Sequence, residues 1–125
     1  MERGHRDARS STMADEQALL KALDEQRLRF TDSKIAKEFS SWNKTMQYHF
    51  TDGDEYYLIR FIEGQPQPPA REQVSNPDIQ YEMDSATFFA ITRGEISGLK
   101  AYLQKQVKLK ASMPDILKLQ KLDRL

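Results

Sequence analysis

The chain has 125 residues, a length that supports one domain. Apolar residues make up 38% and charged residues 30%, while nineteen Lys plus Arg balance nineteen Asp plus Glu. This describes a soluble domain with a core and gives no global electrostatic reason to expect a nucleic-acid partner. There is no cysteine, which excludes disulfide scaffolds, thiol catalysis and thiolate metal sites.

No apolar run approaches the roughly 18 residues that span a bilayer, and the N-terminus lacks a signal-peptide stretch. The expectation is therefore a cytoplasmic protein, with at most transient membrane-surface contact. Residues 1–11 (MERGHRDARSS) are polar and aperiodic, which predicts a disordered leader ahead of a domain over 12–125. From Thr12, Ala14, Ala18, Leu19, Ala22 and Leu23 share one helical face. A second short helix is expected after Asp32 or Ser33, with Ile35, Ala36, Phe39 and Trp42 as its apolar stripe.

The period then drops to two. Met46, Tyr48 and Phe50 alternate with Gln47 and His49, the signature of a strand with one buried face. Asp52-Gly53 marks a tight turn, with Gly expected to supply the positive φ. Residues 55–63 are apolar on both faces, which predicts a central strand. Three prolines within 64–69 (GQPQPP) break the pattern, leaving a loop or the entry to an edge strand near 70–75.

Ile79, Tyr81 and Met83 alternate again. A helix starts at Asp84 or Ser85 and stops at Gly94, and another runs over about 97–105. A short strand follows over 107–111, and Pro114 sits in the first turn of a final helix that is apolar around most of its girth. Strands joined by a tight turn between groups of helices predict an α+β fold with an antiparallel-rich sheet.

Motifs for catalysis are absent: the chain contains no P-loop, GxGxxG, HExxH or GxSxG. His49 would need an orienting carboxylate and a pocket to act as a base, and a solvated strand-face residue is the simpler reading. No spacing requests a metal. Lys100, Lys105, Lys108 and Lys110 around Tyr102 read either as solvated faces or as a patch for phosphate or lipid head groups. The helix with Phe88, Phe89 and Ile91 and the final helix carry more apolar surface than one contact needs. Core packing, a dimer contact, a membrane contact and the wall of an apolar cavity all remain open.

The run 78–95 (DIQYEMDSATFFAITRGE), followed by 107–111 (VKLKA) and 118–122 (KLQKL), resembles the sterol carrier protein type-two family. The likeness covers about 34–122. Departures are Lys105-Gln106 and Ala111 at positions where that family carries glycine, Glu95 in place of Lys, and the proline-rich 64–69. The resemblance implies a sheet of about five strands, with helices on one face enclosing a hydrophobic tunnel for sterols, fatty acyl chains or isoprenoid lipids. It implies carriage or presentation of a hydrophobic small molecule without chemistry or cofactor of its own. An accessory subunit holding a lipid-like intermediate for a biosynthetic partner enzyme, or a small enzyme using the tunnel, are the alternatives. The candidate lining is Ile59, Phe61, Tyr81, Met83, Phe88, Phe89, Leu99, Tyr102, Leu103, Met113, Ile116 and Leu117.

Overall fold

The computed structural model describes the backbone of residues 3–124 and the side chains of 16–122. Helix α1 (Arg3–Arg29) leads into a 3₁₀ turn at Ala36–Phe39 and the hairpin β1 (Thr45–Phe50) and β2 (Glu55–Ile62). Then come β3 (Gln65–Pro66), β4 (Ile79–Met83), α2 (Ser85–Thr92), α3 (Gly98–Leu103), β5 (Lys108–Lys110) and α4 (Met113–Leu119), which runs into a 3₁₀ turn at Gln120–Arg124. The helix α1 begins ahead of the Thr12 start expected for it, and the leader expected over 1–11 falls on residues whose side chains lie outside the described set.

The five strands form one sheet in the order β3-β2-β1-β4-β5. Three pairings are antiparallel, but the central one, β1 with β4, is parallel, so the sheet is mixed. A parallel neighbour requires a crossover. Residues 71–78 make it over the outer face, where the Val74 amide donates to Gln47 Oε1 at 2.7 Å and Gln47 donates to Gln80 Oε1 at 2.8 Å. That explains how a glutamine expected on a solvated face is buried without an unsatisfied group.

The proline-rich segment is more ordered than its composition suggests. Glu63 and Gly64 both have positive φ, 49° and 83°, as a two-residue type I′ turn requires. Beyond Gln65–Pro66 the edge ladder continues irregularly, through Gln67 N to Arg60 O at 2.7 Å, the Leu58–Ala70 bridge, and Glu72 N to Tyr56 O at 3.2 Å. Pro68 and Pro69 have no amide to donate, so the ladder breaks there.

The other hairpin turn departs from expectation. The positive φ belongs to Asp54 at 50° rather than to Gly53, and the connection spans four residues. Aspartate tolerates this region. Asp52 is recruited elsewhere: its carboxylate accepts from the Ser85 amide at 3.0 Å and hydroxyl at 2.5 Å, tying the turn to the start of α2. The helix expected after Ser33 is only the single 3₁₀ turn, from which Phe39 and Trp42 enter the core.

One sheet face carries the core. Met46, Tyr48, Phe50, Tyr57, Ile59, Phe61, Ile79 and Met83 are buried beneath Leu19 and Leu23 of α1, Phe88 of α2, Ala101 of α3 and Leu119 of α4. Asp84, Ser97 and Ser112 cap α2, α3 and α4 through side-chain oxygens that accept from the amide three residues on. The helix α4 is also anchored by Lys44, whose ammonium meets the buried Asp115 carboxylate at 2.8 Å.

Candidate functional site

The helices do not cover the sheet evenly. Over β2, α1 and the 3₁₀ turn close the core with an aromatic cluster. Phe30 packs edge-on against Phe39 and Phe61, each at 4.9 Å between ring centroids, and Trp42 against Phe39 at 4.7 Å. Over β1, β4 and β5 the shorter helices leave a gap, and there the chain encloses an apolar cavity.

Tyr48 of β1, Tyr81 and Met83 of β4, and Val107 and Leu109 at β5 form its floor. Phe88 and Ile91 of α2, Gly98, Leu99 and Tyr102 of α3, and Ile116 and Leu119 of α4 form its walls, completed by Gln26, Arg29, Gln120 and Leu122. The enclosed space is about 80 Å³, and the envelope that includes the opening to solvent reaches about 700 Å³. Ligand pockets run to roughly 300–1,000 Å³, so a long guest needs the walls to part.

Among the described lining residues Arg29 is the sole charged side chain. Its guanidinium donates to the Leu122 carbonyl at 2.7 Å, joining α1 to the final 3₁₀ turn. Tyr48 stacks on Tyr81 at 5.0 Å, and its hydroxyl donates to Met46 Sδ at 3.6 Å. Burial pushes the Tyr48 phenol well above its usual pKa; Tyr81 adds to this and Arg29 partly opposes it. The phenol therefore stays protonated, and its thioether acceptor is a weak one that a better hydrogen-bonding group can outcompete.

Of the residues expected to line a tunnel, Tyr81, Met83, Phe88, Leu99, Tyr102 and Ile116 do meet around this cavity. Ile59 and Phe61 lie in the packed core under α1, because β2 is two strands away from β4 in the sheet. Phe89 packs against the core outside the lining, and Leu103, Met113 and Leu117 are exposed. Missing from the expected set were Arg29, Gln26, Tyr48, Gly98 and Gln120, with Ile91, Val107, Leu109, Leu119 and Leu122. A signal for Gln26 existed: the α1 stripe of Leu19, Ala22 and Leu23 reaches it at helical spacing, before Phe30 closes the stripe.

His49 is not the solvated residue its strand position suggested. It lies on the outer face, stacked on Tyr56 at 4.2 Å, with Nε2 2.8 Å from Asp54 and Nδ1 3.4 Å from Glu82. It has carboxylate partners but does not line the cavity. Among the described residues no His, Asp and Glu cluster could hold a metal, and no helix is long and apolar enough to cross a membrane.

Residues 20–123 match the model of the SCP-2 sterol transfer family. A search of curated proteins gives no match. Among solved structures the chain is similar to the sterol carrier protein domain 2 of Helicoverpa armigera, with 20% identity and a TM-score of 0.64, over 86% of this chain and 84% of that one. It is similar to the UbiJ-SCP2 ubiquinone synthesis protein, at 7% identity and a TM-score of 0.59, over 87% and 96% respectively. It also resembles the inverting sec-alkylsulfatase Pisa1 from Pseudomonas sp., at 16% identity and a TM-score of 0.55, with 72% of this chain covered. The chain spans only 14% of that sulfatase. At these identities the structural likeness is one of fold, whereas the family match takes in every wall of the cavity, from Gln26 to Leu122: the chain belongs to the SCP-2 sterol transfer family.

Proposed function

We propose that the protein binds a lipid with an apolar tail and an anionic head, and carries or presents it without chemistry of its own. The observation that carries this reading is the apolar cavity between sheet and helices, with Arg29 as the one charged side chain among its described lining residues. The tail would lie among Met83, Phe88, Leu99 and Ile116, where each CH₂ leaving water gains about 0.8 kcal/mol. Such a lining gives affinity with little discrimination between similar chains. A carboxylate or phosphate head would meet the Arg29 guanidinium and the hydroxyls of Tyr48 and Tyr81.

Uptake of a fluorescent fatty acid by delipidated protein tests this. Ile116→Asp is expected to weaken uptake at least tenfold, since a carboxylate placed in an apolar wall is costly to desolvate (on the order of 2 kcal/mol or more). Arg29→Met should weaken binding of the acid but not of the matching fatty alcohol. Failure of the unmodified protein to take up any acyl or sterol probe would overturn the assignment.

A second reading is supported by the similarity over nearly the whole length of the UbiJ-SCP2 ubiquinone synthesis protein. In it, the cavity holds a lipid-like intermediate for a biosynthetic partner enzyme. Co-purification of a synthase or oxidoreductase with the tagged protein supports that reading, and recovery as a lone monomer counts against it.

A further inference from the structure

The large apolar side chains exposed among the described residues are not scattered. Six are exposed, and four of them, Tyr102, Leu103, Met113 and Leu117, belong to the two short helices that border the cavity. Leu103 is 68% exposed, Met113 64% and Leu117 57%. Met113 and Leu117 are four residues apart and therefore share a face of α4, next to the lining residue Ile116. Leu103 adjoins Tyr102, which both lines the cavity and reaches its surface. Exposed apolar groups concentrated on the helices that wall a cavity mark a contact surface.

The charge there is one-sided. Residues 98–125 hold seven Lys or Arg and two Asp or Glu, whereas 1–97 hold twelve and seventeen. A neutral chain thus has a basic C-terminal quarter and an acidic remainder. Of the two carboxylates, Asp115 is buried against Lys44, and Asp123 lies outside the described side chains. Lys100 sits three residues before Leu103 on α3, and Lys118 follows Leu117 on α4; neither has an ion-pair partner among the described residues.

We infer that α3 and α4 dock the cavity opening onto an anionic lipid membrane. Leu103, Met113 and Leu117 would enter the interface while Lys100 and Lys118 meet the phosphate groups. Apolar residues flanked by unpaired lysines match a surface that is itself apolar below and anionic above. A second copy of the chain is a poor occupant, because face-to-face pairing would set the same lysines against each other. The remainder of the chain, with twelve Lys or Arg against seventeen Asp or Glu, would be repelled where it faces the lipid, which favours docking through α3 and α4. The purpose of docking, lipid exchange, rests on the cavity reading above; docking is measured separately.

The test is co-sedimentation with vesicles of phosphatidylcholine alone or with phosphatidylglycerol added, alongside uptake of the fluorescent fatty acid in solution. Binding is expected to the phosphatidylglycerol vesicles, weakened by salt. Leu103→Ser with Leu117→Ser, and separately Lys100→Glu with Lys118→Glu, should each lower it about tenfold, with circular dichroism unchanged. Equal binding to both vesicle types, or no loss in either double variant, overturns the inference. So does a protein dimer that these variants dissolve while vesicle binding stays absent. Vesicle binding that behaves as expected without fatty-acid uptake supports docking and overturns the cavity function alone.

Discussion

Gly64 and Lys105 hold left-handed backbone for opposite reasons. Gly64, at φ 83°, lies so close to the 3₁₀ turn that a Cβ would sit 2.7 Å from Ser40 Cα and carbonyl oxygen. Gly64→Ala therefore meets both strain and collision with rigid backbone, and should cost more than about 1 kcal/mol in urea unfolding. Lys105, at φ 64°, closes α3 where the related family pattern has glycine. Lysine here holds a backbone conformation that glycine adopts freely, at a cost of roughly 1–2 kcal/mol. Glycine would remove that strain but loses more chain entropy on folding, about 0.5–1 kcal/mol. Lys105→Gly is therefore expected to stabilise by up to about 1 kcal/mol, read as a higher urea midpoint at unchanged slope.

At the scale of elements, α2 depends on the hairpin before it. Burial tends to raise the Asp52 pKa, but hydrogen bonds from the Ser85 hydroxyl and amide outweigh this and hold the carboxyl below the usual range. A lowered folded pKa means the contribution is complete above the unfolded carboxylate range, about pH 4, and is lost as pH falls through the lower folded value. Asp52→Asn should flatten the fall in thermal stability in that acid window while leaving the slope at neutral pH unchanged. Helices α1 to α4, the hairpin and the start of α2 at Asp84 or Ser85 were legible because each is set by residues within a few positions of one another, whereas the helix expected after Asp32 or Ser33 is a single 3₁₀ turn. The parallel pairing of β1 with β4 was not legible, since Tyr48 and Tyr81 meet only through a crossover whose path no local pattern encodes.

For the whole molecule, that hidden pairing decides which apolar residues line the cavity. Ile59 and Phe61 alternate as well as Tyr81 and Met83 do, yet β2 falls under the tightly packed half and β4 under the open half. Hydrophobicity could nominate both strands and could not rank them. Arg29 carries no such signal, because an apolar pattern contains no charge. A ligand that binds only the folded form should stabilise it by about 2.7 kcal/mol at a free concentration one hundred times its dissociation constant. Fatty acid added to delipidated protein is accordingly expected to raise the thermal midpoint by several degrees, and a short-chain acid of equal charge to leave it unmoved.

Arg29 also has a prior engagement, with the carbonyl of Leu122. The acid head group proposed above and the chain's own Leu122 peptide would thus compete for the same guanidinium. An acid that won it would release the tie between α1 and the final turn, so filling the chamber and loosening one of its walls would become one exchange of partners.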